Sequence, residues 1–169
     1  LLFFINFIFN NNFIPFEDSN LNYTQTFFKW PQISYSEYYI LNILDQNSLE
    51  SIQFTSFGNS IIINDFLDWE SEYSWSVCGY DSQSNILDCF DEIFFTITSL
   101  PNNYPHNVDI LFLDESQYNN GVTLLDFESL RFSVVLNKYG DPIWYANKEN
   151  FDNSKITATQ FLVNGNILG

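Results

Sequence analysis

From Glu37 to Asp45 the chain reads EYYILNILD. In an extended strand, Tyr38, Ile40, Asn42 and Leu44 share one face, and Tyr39, Leu41 and Ile43 share the other. One face is wholly apolar and the other nearly so. That pattern suits a central strand better than an edge strand. The rest of the chain is built from similar material. Aromatic residues make up 20%, while Ala, the best helix former, occurs only at Ala146 and Ala158. The sequence therefore predicts an all-β fold.

Short strand-like runs recur between turn signals. FFKW ends in Trp30, and SIQFTSF places Ile52, Phe54 and Ser56 on one face before Gly58-Asn59. SIIINDFL, EYSWSVCGYD and DCFDEIFFTIT follow, each read as one strand. Such spacing predicts a β-sandwich. Leu67 precedes Tyr73 by six residues across DWESE, the pattern of a tyrosine corner in which the Tyr hydroxyl bonds to upstream backbone. With Trp30 early in the run, residues 20–98 resemble a fibronectin type III domain. The resemblance implies a core role for Trp30 and a corner role for Leu67 and Tyr73. Its first strand is the least marked, with NLNYTQT as the candidate.

Cys78 and Cys89 lie symmetrically about Gln83-Ser84. A hairpin folded there sets Cys78 opposite Cys89, Val77 opposite Phe90 and Tyr73 opposite Phe94. Opposed residues of a non-hydrogen-bonded pair are close enough for a disulfide. In a secreted chain that bond is expected, and in a reducing compartment two buried thiols. The pair has no His or Cys partners at ligand spacing, so a metal site is not expected.

Residues 99–107, SLPNNYPHN, form a linker by composition. Beyond it, residues 108–169 carry VDILFLD, GVTLLDF, RFSVVLN, PIWYA and TQFLV, each of strand length. Gly121 and Gly140 supply turns where φ can be positive, Pro142 sets the start of the next strand, and Asn164-Gly165 is a strong hairpin signal. Four such strands in a meander would make one blade-like sheet. GVTLL, then an apolar strand ending in NKYG, then IWY and FLVNGNIL together resemble the opening blade of a bacterial arylsulfotransferase. In that family a β-sandwich precedes a β-propeller. The resemblance implies that Gly140 and Trp144 are packing devices and that Trp144 lies between blades. A propeller has typically about 4–8 blades, whereas this stretch supplies one and the start of a second. The sequence is therefore expected to be a fragment, with Val134, Leu136 and Trp144 lacking the next blade.

The net charge is -16, and the five cations are scattered at Lys29, Arg131, Lys138, Lys148 and Lys155. That distribution disfavours nucleic acid and anionic membranes as partners. No DxDxDG-type loop points to calcium, no Gly-x-Ser-x-Gly elbow is present, and the lone His106 has no partner in the linker for acid–base work. No catalytic, cofactor-binding or metal-binding residue is assigned. The opening LLFFINFIF resembles the apolar core of a secretory signal, over residues 1–16, and is too short to span a membrane. A secreted, periplasmic or cell-surface location follows from it.

The family resemblance implies a parent enzyme that transfers a sulfuryl group from an aryl sulfate to a phenol through a histidine on a later blade. Its substrates would be small aromatic sulfates and phenols, and the present residues would be its non-catalytic N-terminal part. The competing expectation is a secreted module without activity, whose Tyr- and Phe-rich surface contacts a glycan or a protein.

Overall fold

The computed structural model describes residues 13–105, 114, 121–127, 132–147, 160–161 and 167–168. Among them the secondary structure is all-β. Contacts divide the chain into two compact units that are not continuous in sequence. Unit 1 is Leu1–Ser19, Thr26–Ile63 and Glu72–Thr96; unit 2 is Asn20–Gln25, Asn64–Ser71 and Ile97–Gly169. The segment 1–12 with its signal-like run, and His106, lie outside the described residues.

Unit 1 holds β2 (Thr26–Lys29), β3 (Tyr38–Asp45), β4 (Ser51–Ser56), β5 (Ser60–Ile63), most of β6 (Ser71–Tyr80), β7 (Ile86–Cys89) and most of β8 (Ile93–Ile97). One sheet runs β8-β6-β3-β4, with β7 also on β6; β2 and β5 form a second pair. Strand β3 is central, as its alternation requires. It pairs with β4 on one side and β6 on the other, with Tyr39, Leu41 and Ile43 buried. The side chains of the two sheets meet between them. Phe28 of β2 touches Trp75 of β6 and Phe95 of β8, edge to face at 5.4 and 5.9 Å. Trp30 is fully buried against Tyr39 at 5.4 Å. Its backbone N–H donates to Asn59 O, and its carbonyl accepts from Asn59 Nδ2.

The hairpin between β6 and β7 pairs Cys78 with Cys89, which are joined by a disulfide, and Phe90 N–H donates to Val77 O. The register slips by one after Gly79, so Tyr80 faces Ile86. Asp81 holds the loop, its carboxylate accepting from the backbone N–H groups of Gln83 and Asn85 and from Asn85 Nδ2.

DCFDEIFFTIT is two strands, not one. It breaks at Phe90–Glu92, where the Ser74 hydroxyl donates to the Glu92 carboxylate at 2.5 Å. Beyond the break Phe95 turns inward to stack on buried Tyr73 at 5.5 Å, while Phe94 is exposed. Tyr73 and Phe94, expected to face each other in an unbroken hairpin, thus differ in burial.

Unit 2 contains the antiparallel meander β9 (Thr123–Phe127), β10 (Phe132–Leu136) and β11 (Pro142–Asn147), in the order β11-β10-β9. Strand β10 is buried along its whole length, as a central apolar run should be. A two-residue antiparallel pair joins β12 (Gln160–Phe161) to β13 (Ile167–Leu168), with Gln160 opposite Leu168 and Phe161 opposite Ile167. VDILFLD lies outside the described residues apart from Asp114. The outer edge of β11 is bridged by a segment far upstream: Thr24 N–H donates to Ile143 O, Tyr145 N–H to Asn22 O, and Asn22 Nδ2 to Tyr145 O. NLNYTQT thus supplies the end of β1 (Ser19–Leu21) and then a bridge to Trp144.

Two expectations for this unit change. Val134 and Leu136 do not lack cover, since both are buried in a cluster with Tyr104, Phe132 and Tyr145. Of the two turn glycines, Gly140 takes φ 84, whereas Gly121 does not adopt a positive φ.

Candidate functional site

A concavity lies within unit 2, a groove of about 460 Å³. Four stretches separated in sequence build it: Thr24, Asn64 to Trp69, Leu100 with Tyr104, and Asn137 with Asp141 to Ile143. Trp69 forms part of its wall. The indole Nε1–H donates to the Pro142 carbonyl at 2.9 Å, and the ring lies 5.4 Å from Tyr145. Tyr145 is itself fixed, its hydroxyl donating to Ser99 O at 3.0 Å and lying 2.9 Å from Thr98 Oγ1.

The turn from Asn137 to Asp141 supplies the facing rim. Asn137 Oδ1 accepts from the backbone N–H groups of Tyr139 and Asp141 at 2.8 and 2.9 Å, and its Nδ2 donates to the Asp141 carboxylate at 3.0 Å. The Gly140 N–H closes on Asn137 O at 3.1 Å, which its left-handed conformation permits. Asp141 is thereby held beside Tyr104. Burial, and then the Asp141 charge, push the Tyr104 hydroxyl above its ordinary value of 10.0. Asp65 and Asp68 add two more exposed carboxylates, and Phe66, at φ 93, exposes its ring.

A groove lined by carboxylates, amides and aromatic rings can accept hydrogen bonds from hydroxyl or ammonium groups and stack flat apolar faces. It repels anions such as a sulfate ester. Among the described residues no group of three or more His, Cys, Asp or Glu side chains could hold a metal ion. No helix among them is long and apolar enough to cross a membrane.

The residues singled out in the sequence fall as follows. Trp30, Tyr73, Cys78 and Cys89 belong to unit 1, where Trp30 and Tyr73 are buried and the cysteines form a disulfide. Leu67, buried, belongs to unit 2 and lines the groove. Gly140 makes the groove's rim turn, and Trp144 is half-buried on β11 beside Tyr23. The sequence reading did not single out Trp69, Tyr104 or Asp141. A local signal existed only for Asp141, in the Asn-x-x-Gly-Asp turn.

No protein-family model matches the chain, and a search of curated proteins finds no significant match.

Proposed function

We propose that this chain is the N-terminal, non-catalytic part of a secreted arylsulfotransferase-like protein, whose reaction is sulfuryl transfer from an aryl sulfate to a phenol. The observation that carries this reading is the β9-β10-β11 meander. Its strands coincide with GVTLL, the apolar run and IWY, and Gly140 occupies the tight turn between the second and third at φ 84. Those are the positions that resemble an opening propeller blade. Unit 1 fits the preceding domain as a fibronectin type III-like sandwich: the β8-β6-β3-β4 and β2-β5 sheets, with Phe28 and Trp75 between them, agree with that arrangement. The disulfide accords with an oxidising compartment.

In this reading the nucleophilic histidine, which takes up the sulfuryl group as the phenoxide leaves, and the cationic groups that stabilise the developing charge lie on later blades. The acidic groove is unsuited to the substrate anion and plays no part in transfer. The test pairs two proteins: the 169 residues alone, and the chain extended through its downstream coding sequence. Transfer from a nitrophenyl sulfate to phenol is expected only from the extended chain. Transfer by the 169 residues would overturn the non-catalytic assignment. A downstream sequence without repeated blades carrying histidine and arginine would overturn the enzyme assignment.

The groove itself favours a second reading, a binding module for a polyhydroxylated ligand such as a glycan. Trp69 and Phe66 offer ring faces, while Asp65, Asp68 and Asn64 offer hydrogen-bond acceptors. Binding on a glycan array that is lost in Asp68→Ala, with transfer absent from the extended chain, would select this reading.

A further inference from the structure

We propose that two copies of this chain pair edge to edge through β4, antiparallel and centred on Gln53. Among the described residues strand β4 ends its sheet, and it pairs with β3 without a register shift. Asp45 N–H donates to Glu50 O at 2.9 Å, which fixes the phase of the ladder. Glu50, Ile52, Phe54 and Ser56 bond inward to Asp45, Ile43, Leu41 and Tyr39. Ser51, Gln53 and Thr55 therefore aim their N–H and C=O groups outward.

Natural sheets blunt such an edge with Lys, Pro, a bulge or an inward charge. SIQFTS has none of these. In a chain of net charge -16, two copies approach only where the contact is uncharged, and residues 51–64 contain no charged side chain.

The occupant follows from the order of residues along the edge. In an antiparallel pair centred on Gln53, position i faces position 106 minus i of the second copy. All three outward residues then oppose outward residues: Gln53 meets Gln53, and Ser51 meets Thr55 at both ends. On the core-facing side Ile52 meets Phe54, a β-branched residue against an aromatic one. Glu50 meets Ser56, so no like charges oppose each other. The same register sets Leu49, 73% exposed, level with Phe57 of the second copy, 85% exposed. A contact that is chemically matched to itself at every position, with two-fold symmetry, points to a second copy of this chain.

Sedimentation equilibrium of the full 169-residue chain over a range of concentrations tests the proposal. Wild type should double in mass. Gln53→Pro removes an outward N–H that β3 does not use, and should leave a monomer. Gln53→Glu keeps the backbone and sets two carboxylates face to face. It should weaken the dimer at least about tenfold, with recovery in added salt. Ile62→Ser, at the exposed residue of β5, should leave the dimer unchanged. A monomer at every concentration, a mass that grows without limit, or a dimer that persists in both Gln53 variants would overturn it. Circular dichroism of each variant verifies that the fold is retained.

Discussion

The Trp69 indole N–H donates to the Pro142 carbonyl at 2.9 Å, joining two residues 73 positions apart within unit 2. The bond ties Asn64–Ser71 to β11, whose other partners are β10 and Asn22–Thr24. Trp69→Phe keeps a ring against Tyr145 and removes only the donor. It should cost about 1 kcal/mol, the net worth of one such bond. Trp69→Ala also removes the packing and should cost about 3 kcal/mol. Hydrogen exchange at the Thr24 and Tyr145 amides gives the readout, because both bonds lie on the β11 edge. Unchanged protection in Trp69→Ala would show that Trp69 does not hold this edge.

The Cys78–Cys89 disulfide closes a short loop, with a separation of 11 residues. Replacing both cysteines by Ser should lower stability by about 2–3 kcal/mol, by constraining the unfolded chain less. The urea midpoint of unit 1 should fall while the slope stays near its original value. Strand β7 is exposed along its length and rests on β6 by this bond and a short ladder, so its amides should lose protection before those of β3.

The features readable in the sequence were local. The alternation of Tyr38 to Leu44 marked β3 as central, and the symmetry of Cys78 and Cys89 about Gln83-Ser84 fixed the disulfide-bearing hairpin. Gly140 announced its own turn because the conformation is decided by the residue that adopts it. What stayed hidden depends on distant partners. Nothing in DWESE says that Trp69 will bond to Pro142, and nothing in NLNYTQT says that Asn22 and Thr24 will close the edge of β11. The groove escaped notice for the same reason, since Asp68, Tyr104 and Asp141 meet only after the chain has folded. The break at Phe90–Glu92 coincides with the adjacent charged pair Asp91-Glu92, where the Ser74 hydroxyl donates to the Glu92 carboxylate.

Gly79 sits in β6 with a Cβ-sized space already filled. A methyl group there would collide with Ser36 Oγ and approach Ile33 Cδ1 at 3.1 Å. Gly79 also pairs with buried Tyr39, whose hydroxyl accepts from the Ile33 N–H at 3.1 Å. Gly79→Ala must therefore move the Ser36 hydroxyl and press on the Ile33 side chain, and should destabilise unit 1 by about 1–3 kcal/mol. Gly58→Ala, at an open position, should change little. Thermal unfolding of the two variants side by side decides it: equal midpoints would mean that these side chains yield freely.

Unit 2 should weaken in alkali. Burial raises the Tyr104 hydroxyl above 10.0, with the Asp141 charge adding to it, and burial alone raises Tyr23. A tyrosine whose pKa is higher folded than unfolded stabilises the fold fully below the unfolded value. As pH climbs past about 10 the unfolded chain gives up its proton first, and the stabilisation is lost by the time pH passes the folded value. Tyr104→Phe removes one of the two groups, so the stability of unit 2 should fall less steeply above pH 10 than in wild type. Asp141→Asn removes the charge but leaves the burial, and should move the Tyr104 transition partway back toward its ordinary value. Tyrosinate absorbance followed against pH, together with urea midpoints on either side of pH 10, gives both quantities. A Tyr104 transition unmoved in Asp141→Asn would mean that the rim turn does not hold the carboxylate against the ring.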